Sequence, residues 1–467
     1  MYITTTTINI PTVLEDIFKE LTNIGIRPIL VGGCVRDNLL NLPIKDYDIE
    51  LYGLDSLDNI ETSLKKFGTV KQVGKSFGVL ILSVESYDFD FALPRTEKKI
   101  GNSHSDFEIK SDGGLSFEEA AKRRDFTINA IGYDYLSKEY LDPFNGIEDL
   151  KKKKLRHIKD ESFVEDPLRV YRAIQFTARF DFKLDGKTFN LCKQMVEDNL
   201  LEFLAKERIY EEFKKLFLNS LKPSLGFELM KKLDVLKYFP ELKSLIACEQ
   251  DEEYHPEGDV WVHTLMTIDV LAKILREENI QDDYRKLYLF YGILCHDLGK
   301  PLCTKEINGR ITSYKHESLG IEPTISFLSK ITNEKKFIDI VCTLVKNHLT
   351  PFQLYLNDSS QKAIKRLSLK VNIEDLYFVC LADCLGRDIK DKEKCHKFIE
   401  WLLEKAKELN IKNEPIKPLI MGKDLIGLGL NPSKEFKKLL NLAFDLQIDC
   451  NYSKDEILVI IKNRIIS

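Results

Sequence analysis

No stretch of the chain approaches eighteen consecutive apolar residues, which argues against a transmembrane helix of ordinary length. The start MYITTTTINIPTVLEDI has neither the charged opening nor the apolar centre of a secretory signal. A cytoplasmic location with no membrane partner is therefore the expectation. Ten cysteines are scattered without a CxxC pair, and several lie inside apolar runs, as Cys295 does in YGILCHDLG. That pattern reads as reduced, buried thiols rather than as a disulfide framework or a cysteine zinc site. An excess of positive charge is missing as well. With 69 Lys and Arg against 74 Asp and Glu, the net charge is −5, and the chain as a whole does not attract a polyanion. An RNA partner must then be held by local basic patches. No internal repeat of fixed period and no long low-complexity tract is present.

The chain has the composition of a globular protein, with 43% hydrophobic and 31% charged residues. Its 467 residues exceed what one ordinary core encloses, so two to four domains are expected. Up to about residue 145 helix and strand patterns alternate. VLEDIFKELTNIG leads into a short apolar strand, RPILVGG, then a helical turn, RDNLL, and the alternating segment KDYDIELYG. A further helix, LDNIETSLKKFG, precedes two strand-like runs, TVKQVG and FGVLILSVESYDFDFAL. This is an α/β or α+β pattern. Beyond about residue 160 the periodicity is helical, as in DPLRVYRAIQFTARF and KERIYEEFKKLFLNS, and no strand pattern of comparable strength returns. Candidate junctions lie near residues 145–160, 220–225, 248–259 and 411–418.

The first chemical constellation is LVGGCVRDNLLNLPIKDYDIELYG. Gly32 and Gly33 end a strand and open a helix, where backbone N–H groups approach a phosphate without a side chain in the way. Asp46 and Asp48 follow at a spacing of two, so in a strand both carboxylates emerge on one face and can share divalent cations. Such metals activate an attacking 3′-hydroxyl and stabilise departing pyrophosphate. An isolated DxD is more often a solvated strand edge, and the glycine turn ahead of it favours the chemical reading. Asp88 and Asp90 repeat the alternation and are candidates for a third carboxylate. In KRRDFTINAIGYD, Arg123, Arg124, Asp125 and Asn129 surround an expected helix start, with cations suited to triphosphate oxygens and polar groups suited to ribose hydroxyls. In EDPLRVYR, Pro167 sits where a helix can begin, placing Asp166 and Arg169 on one face. A plain i,i+3 salt bridge would explain that pair equally well.

These segments, together with PRTEKKIG, LDPFNGIEDL and ERIYEEF, resemble in order the bacterial-type, or class II, tRNA nucleotidyltransferase and poly(A) polymerase family over roughly residues 25–225. The resemblance implies an α+β architecture, with a polymerase-β-like nucleotidyltransferase palm followed by all-α neck, body, HD and tail regions. The expected boundaries are 1–150 for the palm, 151–225 for the neck and body, 226–410 for the HD region and 411–467 for the tail. On matching positions Asp46 and Asp48 would hold Mg2+, and Gly32, Gly33 and Arg36 would lie at the triphosphate. Arg123, Arg124, Asp125 and Asn129 would contact phosphates and ribose, with Arg172 a further nucleotide-binding position. Asp166 and Arg169 would act as a protein template for CTP or ATP, since a carboxylate accepts and a guanidinium donates along a base edge. In the family a complete loop at PRTEKKIGNSHSDFE, here with Arg95 and Glu97, accompanies addition of the terminal A. The macromolecular partner implied is the 3′ end of tRNA in its acceptor arm, with monomer and dimer both open.

The second constellation is built of histidines. His263 lies in DVWVHTLMTIDVL, His296 and Asp297 in YGILCHDLGKPL, His316 in YKHESLG, His348 in VKNHLTPF and Asp383 in LADCLGRD. A lone helical histidine is usually packed or solvent-facing, but an adjacent His-Asp at a helix end can ligate a metal that other helices complete. The order His263, His296, Asp297, Asp383 resembles the HD superfamily of metal-dependent phosphohydrolases, and Ni2+, Mg2+ and Mn2+ are all compatible. His316 and His348 stand where that superfamily places further ligands or phosphate contacts. EPIKPLIMGKDLIGLGLNPSKEFKKLL resembles the family's tail, with Ser433 and Lys434 in place of the usual Gly-Pro. Basic residues there, and Lys151 to Lys154, are candidates for RNA phosphates, though a solvated lysine run explains the latter.

The reading these features favour is addition of C and A to the tRNA 3′ end from CTP and ATP with release of pyrophosphate, joined by HD phosphohydrolase activity. An A-adding enzyme or a poly(A) polymerase shares the same palm motifs. A metal-dependent HD phosphohydrolase with an inactive palm is the rival of another class, opposed by the presence of both palm aspartates. A non-catalytic RNA-binding protein gives no reason for paired carboxylates beside a phosphate turn.

Overall fold

The computed structural model describes residues 7–44, 46–73, 78–99, 107–388 and 392–466. The chain divides into two compact units, Met1–Tyr238 and Phe239–Ser467. The division falls between the sequence-predicted junctions at 220–225 and 248–259.

The first unit opens with α1 (Thr12–Asn23), whose residues Leu14, Ile17, Phe18 and Leu21 recur at helical spacing and are buried. Strands β1 (Arg27–Val31), β2 (Asp46–Tyr52), β3 (Thr69–Val73), β4 (Val79–Val84), β5 (Tyr87–Ala92), β8 (Gly132–Asp134) and β9 (Glu139–Leu141) form one sheet in the order β3-β4-β5-β2-β1-β8-β9. The β2–β5 pair is parallel and the others are antiparallel. Strands β6 (Arg95–Lys99) and β7 (Phe107–Ser111) make a separate antiparallel pair. Residues 100–106 of the loop read as intact in the sequence lie outside the described residues. The run FGVLILSVESYDFDFAL folds as two strands rather than one, because Glu85 turns the chain at φ +54° between β4 and β5. The short strands β8 and β9, in GYD and EYL, carry too few residues for a period-two signal.

Helix α2 (Gly33–Leu39) follows β1 directly, and α3 (Asp58–Leu64) lies between β2 and β3. Helix α4 (Phe117–Ala121) starts from a capping box in which Ser116 and Glu119 each satisfy the other's backbone N–H. After α5 (Gly146–Lys151) and α6 (Asp160–Glu165) come the helices expected from the periodicity: α7 (Leu168–Phe180), α8 (Gly186–Glu197), α9 (Lys206–Asn219) and α10 (Ser224–Lys232). Pro167 caps α7, and Asp181 ends it in the left-handed region. The only strand beyond α6 in this unit is β11 (Lys183–Leu184), paired with the equally short β10 (Lys154–Leu155).

The second unit is helical apart from the hairpin β12 (Lys305–Ile307) and β13 (Arg310–Thr312). Its helices are α11 (Pro240–Lys243), α12 (Val260–Glu277), α13 (Asp283–Cys295), α14 (Lys300–Cys303), α15 (His316–Leu319), α16 (Ile321–Ser329), α17 (Lys335–Asn347), α18 (Thr350–Leu356), α19 (Gln361–Ser368), α20 (Ile373–Leu385) and α21 (Lys392–Glu408). Side-chain caps start the three that carry the core: Asp259 for α12, Asp282 for α13 and Asn372 for α20. Trp261, Tyr291, Phe239 and Phe327 are buried in this unit. A smaller apolar cluster joins α22 (Gly422–Gly427), α23 (Lys434–Asp449) and α24 (Lys454–Ile466) through Leu425, Leu439, Ala443, Ile457 and Ile461. None of the described helices is long and apolar enough to cross a membrane. Cys384 on α20 is disulfide-bonded, so the expectation of uniformly reduced thiols fails there, at a pairing that no CxxC spacing announces.

Candidate functional site

In the first unit the sheet brings the carboxylates together. Along β2 burial alternates, with Tyr47 and Ile49 buried and Asp46 and Asp48 exposed on one face. The parallel register sets Asp46 beside Asp88 and Asp48 beside Asp90, so a second pair of aspartates extends the acidic face. Asp88 accepts a hydrogen bond from Ser83 at 2.6 Å. Asp90 is pushed up to about 6 by burial and by Asp48, Asp46 and Asp88. Asp48 is raised chiefly by burial, with Asp46 and Glu50 adding to it and Arg124 opposing. Among the described residues no cationic side chain forms an ion pair with Asp46, Asp48 or Asp90. Three carboxylates thus share one face of the sheet without such a partner.

Gly32 ends β1 at φ +73° and caps α2. A Cβ there would lie 3.2 Å from both Asp48 Oδ2 and Arg124 Nη1, so any other residue would be strained by the positive φ and would crowd both groups. Gly33 opens α2 beside it. Glu50, two residues past Asp48, is buried and was missed in the sequence. It pairs with Arg123 at 3.2 Å and Arg124 at 3.0 Å and accepts from Tyr52 at 2.9 Å, holding two cations next to the aspartates. Arg123 and Arg124 sit in the turn after α4 rather than at a helix start. A short 3-10 turn, Thr127–Asn129, follows them.

The remaining positions form a buried network. Arg36 turns inward, donates to Asn129 Oδ1 at 2.6 Å, pairs with Asp37 at 2.7 Å and lies over the rings of Phe176 and Phe180. Asp125 accepts from Asn129 at 2.9 Å and from Arg172 at 2.6 Å. Asp166 and Arg169 do not form the plain i,i+3 pair. Asp166 pairs with Arg208 at 3.0 Å, while Arg169 donates to the carbonyls of Ser162 at 2.7 Å and Arg123 at 2.6 Å. Each side chain is oriented by partners other than its neighbour on the helix. Arg208, on α9, has no local sequence relation to Asp166.

In the second unit four histidines and two aspartates converge from five helices. His263 comes from α12, His296 and Asp297 from the end of α13, His316 from α15, His348 from the end of α17 and Asp383 from α20. His296 Nδ1 donates to the Ile293 carbonyl at 2.7 Å, His316 to Ser313 at 2.7 Å and His348 to Val345 at 2.6 Å. With each Nδ1 proton committed to a carbonyl, each Nε2 carries a lone pair directed inward. His263 Nε2 lies 3.1 Å from Asp383, His296 Nε2 3.1 Å from Asp297 Oδ2, and His316 Nε2 3.1 Å from His348 Nε2. The buried Nε2 of His296 lacks a hydrogen bond of adequate geometry. Facing acceptors at such distances fit cations between them. Among the described residues the ligand atoms form three groups able to hold a metal: His263, His296 and Asp383; Asp297, His316 and His348; and His255, Glu257 and His263.

Gly299 permits this convergence, since a Cβ there would overlap the carbonyl oxygen of His316. Lys300, buried, pairs with Asp297 at 2.8 Å and donates to Gln250 at 2.6 Å. Arg387 pairs with Asp383 at 3.1 Å. A cavity of about 1120 Å³ opens over the centre, lined among others by Asp297, Lys300, His316, His348, Asp383 and Arg387. Lys300, Arg387 and the pair His255 and Glu257 escaped the sequence reading, although HPE lies six residues before His263.

The first unit thus has the elements of a nucleotidyltransferase head, and the second those of an HD-type metal centre. Comparisons agree. A family model described as "Poly A polymerase head domain" matches residues 29–156, one described as "Probable RNA and SrmB- binding site of polymerase A" matches residues 181–246, and one described as "HD domain" matches residues 260–388. The multifunctional CCA protein of Mannheimia succiniciproducens is 35% identical over 372 residues, 77% of this chain and 84% of that one. The multifunctional CCA protein of Pasteurella multocida is 32% identical over 400 residues, 82% of this chain and 90% of that one. The chain belongs to the multifunctional CCA protein family. Its fold is similar to that of the Bacillus stearothermophilus CCA-adding enzyme in complex with CTP, at TM-score 0.64 and 21% identity over 97% of this chain and 98% of the other. The Thermotoga maritima CCA-adding enzyme complexed with tRNA gives TM-score 0.59 and 22% identity over 98% and 96%.

Proposed function

We propose that the protein is a CCA-adding tRNA nucleotidyltransferase that extends the tRNA 3′ end from CTP and ATP, releases pyrophosphate, and carries a metal-dependent phosphohydrolase centre on the same chain. The observation that carries the first activity is the Asp46–Asp48 face beside the Gly32 turn, extended by Asp90 across the parallel β2–β5 register. Asp46 and Asp48 would hold Mg2+, which when bound would supply activation of the 3′-hydroxyl and charge neutralisation for the leaving pyrophosphate. The open backbone at Gly32 and Gly33 and the cations of Arg123 and Arg124 receive the triphosphate. Arg36, Asp125, Asn129 and Arg172 brace the template helix against the head, so that Asp166 accepts from and Arg169 donates to the incoming base.

At the HD centre, His263, His296, Asp297 and Asp383 would hold a divalent ion, with Ni2+, Mg2+ and Mn2+ as candidates, and His316 and His348 would add further ligands. When bound, the ion would activate water at neutral pH, while Lys300 and Arg387 would meet the phosphoryl oxygens. We place the protein in the cytoplasm, and divide it as 1–150 palm, 151–225 neck and body, 226–410 HD region and 411–467 tail. The test of the palm is Asp46→Ala combined with Asp48→Ala. The expected result is loss of CTP and ATP incorporation with phosphatase activity retained. Unchanged incorporation would sink the assignment.

A further inference from the structure

The segment Tyr254-His255-Pro256-Glu257-Gly258 precedes the cap of α12, and Gly258 bends it at φ +123°. The bend carries the Glu257 carboxylate behind the wall of the HD cavity, where its side chain is 1% exposed. One oxygen, Oε1, lies 2.9 Å from His255 Nδ1 and 2.8 Å from His263 Nδ1. The other, Oε2, accepts from the backbone N–H of Asp388 at 3.2 Å, just beyond the helix that carries Asp383. The two imidazoles stand edge to face with centroids 4.7 Å apart. Burial pushes the Glu257 carboxyl up, but hydrogen bonds from His255 and His263 outweigh it and hold the group well below the usual carboxylate range.

A carboxylate only accepts, so His255 Nδ1 donates to it. The buried His263 Nδ1, 2.8 Å away, meets it off the hydrogen-bonding axis, yet the facing negative charge still favours the proton on Nδ1, and each Nε2 of a neutral ring is then an acceptor. For His263 that acceptor points toward Asp383, at 3.1 Å. For His255, which lines the cavity while Glu257 and His263 do not, Nε2 is the ring nitrogen left for a bound molecule. The other liganding histidines take their Nδ1 acceptor from a backbone carbonyl three residues earlier in their own segment. His263 alone among them depends on a carboxylate from outside its helix, and that carboxylate is shared with a cavity residue.

We propose that Glu257 is a positioning residue of the HD centre, whose single carboxylate fixes the tautomer of a metal-side histidine, His263, and of a cavity-side histidine, His255. His255 then offers Nε2 as a hydrogen-bond acceptor to a hydroxyl of a sugar phosphate substrate. The proposal rests on the phosphohydrolase reading of this centre. Outer partners of this kind change metal affinity by about 10- to 100-fold.

The experiment uses the full chain with Glu257→Gln, Glu257→Ala and His255→Ala. Ni2+ binding is followed by calorimetry, imidazole tautomers in the metal-free protein by 15N NMR, and hydrolysis with a ribonucleoside monophosphate and with p-nitrophenyl phosphate, which has no hydroxyl to donate. Glu257→Gln keeps the shape and removes the charge. It should weaken Ni2+ by about 10-fold and Glu257→Ala by up to about 100-fold, with loss of the fixed Nδ1–H form at both histidines in Glu257→Ala, since the amide oxygen of Gln still accepts. Nucleotide addition retained by the palm reports that each variant is folded, and Glu257→Gln decides the matter if Glu257→Ala is not. His255→Ala should leave Ni2+ affinity within about two-fold while raising KM for the ribonucleotide by about 10-fold, and KM for p-nitrophenyl phosphate should not move. Parent-like Ni2+ affinity and tautomers in both Glu257 variants would overturn the positioning role. Equal effects of His255→Ala on both substrates would overturn the cavity role. Absence of hydrolysis in the parent protein would instead fail the phosphohydrolase reading, and leave the Ni2+ and tautomer measurements to decide the function of Glu257.

Discussion

Asp48 stands at the most crowded electrostatic position of the head, between Asp46 and Asp90 on the acidic side and Arg124 on the basic side. On the proposed reading its loss would remove a cation ligand and also unbalance Arg124. Asp48→Asn is expected to lower nucleotide addition by at least about 100-fold, beyond the usual cost of an outer partner, in single-turnover assays with saturating Mg2+. Asp90→Asn tests the third carboxylate, and a reduction confined to kcat would place it at the reacting atoms. Gly299 is the second residue on which a site hangs. Gly299→Ala must push the His316 carbonyl away, so a loss of about 1–3 kcal/mol in denaturant unfolding, typical of overpacking, should accompany weaker metal binding. Asp46 and Asp48 were legible because a two-residue spacing in a strand needs no tertiary knowledge. Glu50 was not, since a third acid on the same face reads like the first two until Arg123 and Arg124 are seen to neutralise it.

At the scale of elements, the Asp125–Arg172 pair is one of the contacts that join the head to α7, beside Arg36 over Phe176 and Phe180 and Arg179 with Asp37. Burial pushes the Asp125 carboxyl up, but Arg172, Asn129 and Arg169 outweigh it, and its pKa in the folded protein is lowered. A lowered folded pKa means that this contribution to stability is fully present above the unfolded value of about 4 and lost as pH falls through the folded one. Asp125→Ala leaves Arg172, whose side chain is 30% exposed, with Glu212 at 3.9 Å as its remaining ion-pair partner. It should cost about 1–3 kcal/mol in urea unfolding at pH 7, and less as the pH of the measurement is lowered. Arg208→Ala frees Asp166 from its one cationic partner on α9. Discrimination of CTP and ATP against UTP and GTP is expected to fall, measured as the ratio of kcat/KM values, with little change in folding stability. The helices α1, α7 and α9 were readable from apolar spacing alone. The β4–β5 turn at Glu85 carries neither glycine nor proline, so nothing local marked it, and the Asp48–Asp90 register follows from a parallel pairing that the sequence does not express.

For the whole molecule, the two chemistries lie in separate compact units, and their losses should be separable. His296→Ala combined with Asp297→Ala should abolish metal-dependent phosphatase activity and leave nucleotide addition within about two-fold, because the lost groups and the palm aspartates belong to different compact units. The family resemblance was legible because its motifs occur in order over the first 225 residues. The extent of the HD centre was only half legible, since His255, Glu257, Lys300 and Arg387 acquire meaning from helices far apart in sequence. The most direct test of the account offers the purified protein tRNAs ending before C74, after C75 and complete, with CTP, ATP or both, and sequences the products. Restoration of CCA on the shortest substrate and of A alone on the CC-ending one is the expected result. Incorporation of A alone whatever the substrate, long A tails, or no incorporation at all would contradict it.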